Sequence, residues 1–365
     1  MTMSVASIAR EAARVPRRLL ARLFRVGLYS RPLEFARDRV VLLFFGDFER
    51  DRLVRHDRHV RRALRVIARA WRGQAQKSGF FVAFELLVNS LQRAGYRVVV
   101  NDVTLARLNP SYPIGILGYP HVLEDLRLDN PAVLGPGLYD HPRLAPTLMD
   151  DRRHHAYIVS SEWMRESFAT VYRDKCVRWH AAVDVNQWPA ASGPKNYDFL
   201  VYVKFLWDRE RNESETLAPV LAALDRRGLS YVVIRYGSYY HEQYRAVLQR
   251  VRGMIFLCEH ETQGIAYQEA MASGVPVLAW DQGRWLDARY ADQSGELVPA
   301  SSVPYFSAAC GEKFGRVEEF EPALDRFQQR LPLYQPRAYV EAALSTESSV
   351  RIYIDAYVQP LARPA

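Results

Sequence analysis

The sequence predicts an α/β protein with two similar domains that face each other across a cleft. Three observations lead to this fold class. Short apolar runs of strand length alternate with helical patterns, which is typical of parallel sheets with helices on both faces. A stretch rich in Pro, Gly, Ser and Asn interrupts this alternation at 183–196, as an interdomain linker would. The length of 365 residues suits two domains of ordinary size.

The predicted strands are short and largely apolar, and they occur in two groups. The first group is Val40–Phe45, Arg97–Asn101, Ile114–Gly118, Ala132–Gly135 and Ala156–Ser160. The second group is Phe199–Val203, Tyr231–Arg235, Met254–Cys258 and Pro276–Trp280. Helices are predicted at Phe80–Ala94, Glu162–Val171, Thr216–Arg227 and His241–Val251. Because ligands of such sheets bind at the carboxyl ends of the strands, the cleft is the expected site.

The two groups divide the chain into five segments. These are a basic amphipathic N-terminal segment (1–39), a first domain (40–185), a linker (186–196), a second domain (197–335) and a C-terminal segment (336–365). The C-terminal segment is expected to form a helix that packs back on the first domain.

Positive charge is concentrated near the N-terminus. Residues 1–72 hold 18 Arg and 7 acidic residues, whereas residues 73–365 hold 31 Lys plus Arg and 34 acidic residues. Two basic amphipathic helices, predicted at 5–29 and 51–72, carry most of the excess. Such helices suit an anionic membrane surface. A solvated helix packed on the domain and a mitochondrial presequence remain the alternatives for the first of them.

Composition excludes several classes of protein. Three cysteines, at 176, 258 and 310, are too few and too scattered for a disulfide framework or a zinc site. The longest apolar run, Val40–Phe45, is far shorter than the ~20 residues that span a bilayer. The start of the chain lacks a charge-free stretch like a secretory signal core. A cytoplasmic protein is expected, peripheral on the inner face of the cytoplasmic membrane if the basic segment binds lipid.

The run CEHETQGIAYQEAMASGVPVLAWD, Cys258–Asp281, carries the strongest chemical signal. A predicted strand ends just before Glu261, and Gly264 opens a short helix that contains Glu269. Both carboxylates can face one pocket and accept hydrogen bonds from sugar hydroxyls. The free N–H groups at the helix start, from Gly264 and Ile265 onward, are suited to a phosphate. The plain alternative is a strand, a loop and a helix with two solvated glutamates.

This run resembles the Glu-x7-Glu signature of GT-B glycosyltransferases, most closely the retaining enzymes of family 4. It follows the family's usual pattern, E-G-F-G-x4-E-A-M-A-x-G-x-P-V, except at Thr262 and Gln263. Three further stretches resemble the family: Ala156–Phe168, Lys175–Pro189 and Ser294–Pro299. The resemblance implies the GT-B fold, in which two Rossmann-like α/β domains face each other across a cleft. The first domain (40–185) would then bind the acceptor and the second (197–335) the nucleotide-sugar.

The resemblance also implies roles for single residues. Glu269 would bind the ribose of the nucleotide, and Glu261 would bind the transferred sugar. A basic pair after the first strand of the second domain would neutralise the leaving diphosphate. Lys204 and Arg209 are the expected pair here, and Arg211 is a further candidate. The family's Gly-Arg…Lys-Gly pattern is absent, so a solvated cluster at the strand end is the alternative.

The first domain offers fewer signals. His141 is the candidate for a histidine near the sugar, with His121 as its rival and a turn-capping histidine as the alternative. The loop Lys77–Phe81 is a candidate for binding an acceptor phosphate. The family's additional strand between the equivalents of Arg235 and Met254 has no counterpart, because only one helix fits there. The pocket for the nucleotide base is therefore expected to differ from the family's.

Taken together, these patterns predict a glycosyltransferase. It would move a sugar from a nucleotide-diphosphate sugar to a hydroxyl of a glycan or lipid-linked acceptor, with retention by resemblance, in bacterial envelope polysaccharide or glycolipid synthesis. No metal or other cofactor is expected, because the resemblance implies catalysis without a metal. The absence of an Asp-x-Asp pair argues against the metal-dependent GT-A architecture. Nucleic acid is not an expected partner. Two alternatives stay open: a GT-B nucleotide-sugar epimerase or hydrolase, and an inactive GT-B scaffold that only binds a partner.

Overall fold

The computed structural model describes residues 27–46, 79–190, 193–285 and 298–362. Within these ranges the chain forms two parallel sheets with helices packed on them, which confirms the predicted fold class. The amphipathic helices predicted at 5–29 and 51–72 lie almost wholly outside the described residues. So do positions 77–78 of the candidate acceptor loop and positions 294–297 of the third resembling stretch.

The first half of the chain forms a parallel sheet with the strand order β2-β1-β3-β4-β5-β6. Its strands are β1 (Val40–Gly46), β2 (Arg97–Val100), β3 (Ile114–Gly118), β4 (Ala132–Gly137), β5 (His154–Val159) and β6 (Cys176–Arg178). Its helices are α1 (Phe35–Asp38), α2 (Gly79–Arg93), α3 (Val103–Leu108), α4 (His121–Asp125) and α5 (Glu162–Tyr172). β1 is apolar throughout because both faces of this sheet are covered. Val40 and Leu42 pack in one core, and Val41 and Leu43 pack in the other.

The second half forms a parallel sheet with the order β11-β10-β9-β7-β8. Its strands are β7 (Tyr197–Lys204), β8 (Tyr231–Arg235), β9 (Val251–Cys258), β10 (Val277–Trp280) and β11 (Gly311–Phe314). Its helices are α6 (Arg209–Asn212), α7 (Ala218–Arg226), α8 (His241–Leu248), α9 (Ile265–Ala272), α10 (Phe320–Arg330) and α11 (Pro336–Ala343). In the part of the chain that the structure describes, no helix is both long and apolar enough to cross a membrane.

Two helices of the second half differ from their predictions. The helix predicted at Thr216–Arg227 is α7, preceded by a π-helical turn at Glu213–Leu217 and by α6. The helix predicted to reach Val251 ends at Leu248, because Val251 already pairs with Tyr197 of β7. α8 is the one helix between β8 and β9, as predicted, and β8 is therefore the edge of the sheet.

The C-terminal segment forms two helices rather than the single one expected. α11 stays on the second half, where Arg337 Nη1 donates to Ala272 O at 2.5 Å. α12 (Thr346–Val358) begins at the cap Ser345, whose hydroxyl accepts from Ser348 N, and returns to the first sheet. There Tyr357 Oη donates to the carbonyl of Pro113 at 2.5 Å. The part that packs on the first sheet is thus α12.

The two halves meet at the carboxyl ends of their strands. Trp163 Nε1 of α5 donates to the carbonyl of Glu261 at 3.0 Å. Tyr305 Oη donates to the carbonyl of Ser160, which directly follows β5, at 2.8 Å. The Trp163 ring also lies 5.3 Å from that of Trp285. These contacts place the loop that contains Glu261 at the boundary between the two domains.

Candidate functional site

An ion pair between two strand ends lies at the centre of the site. β7 and β9 are neighbours, and their last residues, Lys204 and Cys258, are opposite each other in the sheet. Glu261 follows β9 by three residues, and its Oε1 lies 2.6 Å from Lys204 Nζ. These two side chains are only 14% and 10% exposed. Two residues predicted for the diphosphate and the sugar are thus brought together at the carboxyl edge of the second sheet.

The charge of Lys204 is maintained by this pair. Burial alone would lower its pKa, but the Glu261 carboxylate raises it well above the usual value. Lys204 Nζ also lies 4.7 Å from the centroid of the Tyr236 ring, a cation–π distance. Burial and the Glu261 charge raise the pKa of Cys258 well above its usual value, so this thiol stays protonated. The strand ends therefore present a fixed cation beside a carboxylate.

Gly264 determines how the chain enters α9. Its φ of +82° lies in the left-handed region, and a Cβ placed there would be 2.1 Å from Tyr267 Cε1. Tyr267 is fully buried, and its hydroxyl accepts from Tyr305 N at 2.9 Å, so the ring cannot easily move away. α9 begins at the next residue, Ile265. Gly264 and Ile265 thus form the helix N-terminus, whose partial positive charge suits a phosphate.

Glu269 lies in the second turn of α9. Its side chain is 12% exposed, and its Oε1 lies 3.6 Å from Nε2 of His241, the first residue of α8. Burial raises the pKa of Glu269 well above its usual value, and nearby Arg245 acts in the opposite direction. In either protonation state the carboxyl group offers oxygen atoms to the hydroxyls of a ribose.

Two tyrosines connect the environments of the two glutamates. The hydroxyls of Tyr202 and Tyr239 are 2.9 Å apart. Burial, Tyr239 and, to a smaller extent, Glu261 raise the pKa of Tyr202 well above its usual value. Burial raises the pKa of Tyr239 to about 12, and the charge of Glu269 acts in the same direction. The pKa of Tyr202 thus responds to the charge of Glu261, and the pKa of Tyr239 responds to that of Glu269.

The two predicted arginines lie apart from this ion pair. Arg209 is the exposed first residue of α6. Arg211 Nε pairs with Glu215 Oε2 at 2.7 Å, and these side chains are 69% and 61% exposed. Both arginines are exposed, which fits either role that the sequence left open, a pair that binds the diphosphate or a solvated cluster after the strand. Lys204, in contrast, contacts a carboxylate that was also predicted for the site, that of Glu261.

The two candidate histidines are buried in the first domain. His141 caps the short helix Pro142–Leu144, where its Nδ1 accepts from Arg143 N at 3.2 Å. Burial and the Arg143 charge lower the pKa of His141, which favours the neutral imidazole. His141 thus has the turn-capping role, but its ring also lies 6.0 Å from Trp285 of the second domain. His121 is the first residue of α4.

The backbone of Glu261 is held from both domains. Its N–H donates to Ser301 O at 2.9 Å, while its carbonyl accepts from Trp163. The Ser301 hydroxyl donates to Asp281 Oδ2 at 2.9 Å, and Lys313 Nζ lies 2.7 Å from the same oxygen. The connection between β10 and β11, supported by β11, and α5 of the first domain therefore hold the backbone of the candidate sugar-binding residue.

Residues 259 and 260 also belong to this site, and the sequence reasoning missed them. Glu259 is 1% exposed and accepts hydrogen bonds from the loop after β7. The His260 ring stacks on Trp207 of that loop at 4.5 Å between centroids. One signal was available: Glu259 and Glu261 alternate just beyond a strand end, and alternate residues of an extended chain share a side.

This chain is similar to known proteins in structure but not in sequence. No protein-family model matches this chain, and no curated protein sequence matches it. A sucrose-phosphate synthase from Thermosynechococcus elongatus has a TM-score of 0.52 and 12% identity, over 88% of this chain and 99% of that chain. A mutant of S. aureus TarM, solved with fondaparinux, α-GlcNAc-glycerol and UDP, has a TM-score of 0.50 and 12% identity, over 70% of this chain.

These similarities establish the fold. The match covers 59% of the TarM chain, so this protein spans little more than half the length of that relative. The sucrose-phosphate synthase is covered almost completely, which means that both facing domains are shared. The GT-B arrangement predicted from the sequence is thereby confirmed as the architecture of this chain.

Proposed function

We propose that this protein is a glycosyltransferase that moves a sugar from a nucleotide-diphosphate sugar to a hydroxyl of a glycan or lipid-linked acceptor. The observation that carries the proposal is the buried pair of Lys204 and Glu261, 2.6 Å apart where β7 and β9 end. A cation and a carboxylate beside a helix N-terminus match a donor that combines a diphosphate with polyols. The GT-B fold supports the same class of reaction.

Each part of the donor has a candidate partner in the site. Glu269 accepts hydrogen bonds from the ribose hydroxyls, and Glu261 does so from the transferred sugar. Lys204 and the N–H groups at Gly264 and Ile265 bind the diphosphate. A phosphate that binds Lys204 competes with Glu261 for the lysine's positive charge. The weakened ion pair leaves the Glu261 carboxylate available to accept hydrogen bonds from sugar hydroxyls.

Three further residues complete the proposed site. Arg209 and Arg211 are exposed on α6, close in sequence to Lys204, and add positive charge for the diphosphate. His141 caps a short helix of the first domain, and its ring lies 6.0 Å from that of Trp285 in the second domain. We assign it to the neighbourhood of the sugar.

The proposed chemistry retains the anomeric configuration and uses neither a metal nor a protein nucleophile. The bond between the anomeric carbon and the diphosphate oxygen breaks while the acceptor oxygen bonds to the same face of that carbon. The acceptor proton passes to an oxygen of the leaving diphosphate. Lys204 and the start of α9 stabilise the charge that develops on that group.

The test is turnover of UDP-, GDP- and dTDP-linked hexoses by the full chain, with and without hydroxyl acceptors. Release of the nucleoside diphosphate is measured, and the anomer of the product is read by NMR. We expect a retained product and about 100-fold slower release for Glu261→Gln. Glu312→Gln is the matched control. Glu312, on the edge strand β11, is also largely buried (14% exposed), but it pairs with Arg330 of α10.

Three results would contradict the proposal. Free sugar released at one rate regardless of acceptor would indicate a hydrolase, and an altered sugar on the nucleotide would indicate an epimerase. Absence of both turnover and nucleotide binding would indicate a scaffold. An inverted product would contradict retention alone.

We also propose a membrane-bound acceptor in the synthesis of a bacterial envelope polysaccharide or glycolipid. The 18 Arg and 7 acidic residues of positions 1–72 support it. The full chain should float with vesicles of phosphatidylglycerol and phosphatidylcholine but not with phosphatidylcholine alone. Replacing Arg14, Arg18 and Arg22 by Gln should weaken flotation. Equal flotation of the variant and the wild type would overturn this part of the proposal.

A further inference from the structure

Glu259 is a buried carboxylate whose partners are amide groups. It is 1% exposed. Its Oε1 accepts from Leu206 N at 3.1 Å, from Trp207 N at 3.2 Å and from Asn212 Nδ2 at 3.0 Å. Its Oε2 accepts from Leu206 N at 3.2 Å. All these donors belong to the segment 205–212, which follows β7 and includes the short helix α6; it is called the β7 loop below.

Three consecutive residues after β9 hold the β7 loop and the strand end before it. Glu259 binds its backbone, the His260 ring stacks on Trp207, and Glu261 pairs with Lys204. Asn212 closes the arrangement, because its Nδ2 donates to the carbonyl of Trp207 as well as to Glu259. The β7 loop is therefore held at its backbone by Glu259, at the Trp207 ring by His260, and at the preceding strand end by the Lys204–Glu261 pair.

The way the β7 loop is held carries a cost. Asp208 has a φ of +42°, in the left-handed region, but Asp adopts this region more readily than most residues, so the main cost lies at the buried Glu259. Burial raises the pKa of Glu259, which shows that its charge is penalised at this position. A π-helical turn follows at Glu213–Leu217, and such turns are frequent at functional sites. Costs of this kind persist where a particular geometry is needed.

We propose that Glu259 is a positioning residue that holds the β7 loop in the shape required to bind the diphosphate of the donor. This inference rests on the proposed function. The loop begins directly after Lys204 and contains Arg209, so its shape determines where these cations stand relative to the start of α9. Glu259 acts through the loop and does not itself contact the donor, since its oxygen atoms are occupied by the loop's own N–H groups.

Loss of Glu259 should affect the affinity for a nucleoside diphosphate but not the affinity for the nucleoside. Without Glu259 the loop N–H groups lose a common acceptor, so the diphosphate should bind more weakly while the nucleoside is unaffected. Glu259→Gln keeps one oxygen that can accept the three hydrogen bonds now made to Oε1. It also removes a charge that burial penalises. Its Nε2 would replace the oxygen that accepts the second hydrogen bond from Leu206 N, so the variant should hold the loop less firmly and bind the diphosphate less tightly than the wild type.

The experiment compares binding of UDP, GDP and dTDP with binding of uridine, guanosine and thymidine. It uses the full chain as wild type, Glu259→Gln, Glu259→Ala, Asn212→Ala and the control Glu312→Gln. We expect Glu259→Ala to bind the preferred diphosphate about 10-fold more weakly. This is the effect of losing one charge-assisted hydrogen bond between the loop and the diphosphate. Glu259→Gln should be intermediate, and Glu312→Gln should equal the wild type. The nucleoside affinities should not change.

Amide hydrogen exchange provides a readout that does not need a ligand. The N–H groups of Leu206 and Trp207 should exchange faster in Glu259→Ala than in the wild type, with partial protection restored by Gln. If diphosphate and nucleoside affinities fall together, or if neither changes while the wild type binds, the inference is wrong and the proposed function stands. If the wild type binds no diphosphate, the proposed function fails and the inference fails with it. Should Glu259→Ala not fold, Glu259→Gln and Asn212→Ala decide the question.

Discussion

Buried ionisable groups at the carboxyl edge of the second sheet are the residues on which the proposed function depends. Burial raises the pKa of Glu269 and Glu259, and Lys204 keeps its charge because Glu261 is beside it. Groups kept in such surroundings are concentrated at functional sites. Three of these four could be predicted, because two belong to a spaced motif and Lys204 ends a strand. Glu259 was missed because its partners are backbone N–H groups after a different strand, which motif spacing does not show.

Glu269→Gln should stabilise the protein at high pH. The pKa of Glu269 is higher in the folded state than in the unfolded chain, so stability is greatest below the ordinary carboxyl pKa and is lost as the pH rises through the folded-state pKa. We expect the Tm of Glu269→Gln to exceed that of the wild type by about 2 °C near pH 8, and the difference to disappear near pH 4. Thermal unfolding across this range measures it. A variant less stable than the wild type at the higher pH would contradict the burial argument.

Strands and helices could be predicted from the sequence where burial leaves a simple pattern. β1, β3 and the part of β9 after Arg252 lie within sheets covered on both faces, so they are continuous apolar runs. β11 was not predicted, because Glu312 and Lys313 make this edge strand as polar as a loop. The end of α8 was misplaced because the pairing of Val251 with β7 depends on residues far away in the sequence.

The two glycines that flank α9 allow a matched test of how that helix begins. Gly264 and Gly274 have φ values of +82° and +77°, and only at Gly264 would a Cβ meet a neighbour, the ring of Tyr267. Gly274→Ala should cost about 1 kcal/mol for the left-handed backbone. Gly264→Ala should cost about 2 kcal/mol more, because a buried ring must shift. Denaturant unfolding measures both free energies. Equal losses would mean that Tyr267 does not constrain the helix start.

In the whole molecule, the two domains are joined through the backbone of the motif. Gln263 stands where the family's usual pattern has Phe, and its amide exchanges two hydrogen bonds of 2.8 Å with Ala181 N and O. Trp163 donates to the carbonyl of Glu261. These contacts could not be predicted, because they depend on how one domain is oriented on the other. They make the position of Glu261 depend on both domains.

Trp163→Phe tests this dependence, since it removes the indole N–H and keeps a ring. We expect donor turnover to fall about 10-fold, with diphosphate affinity within about twofold of the wild type. Trp179→Phe is the matched control, because Trp179 Nε1 also donates to a carbonyl at 3.0 Å, that of Ser349 in α12, away from the motif. Steady-state kinetics and nucleotide titration provide the comparison. Equal turnover of both variants would show that the Trp163 bond contributes to stability only.

Calorimetric titration of UDP, GDP and dTDP into the wild type, Glu269→Ala and Glu312→Ala is the most direct test of the donor site. The side chains of Glu269 and Glu312 are similarly buried, at 12% and 14% exposed. The two variants therefore remove the same kind of side chain from two different places in the domain. We predict that one diphosphate binds the wild type, that Glu269→Ala weakens this binding about 100-fold, and that Glu312→Ala leaves it unchanged. Absence of binding by the wild type at about 1 mM, or equal binding by Glu269→Ala, would contradict a nucleotide-sugar site at the start of α9.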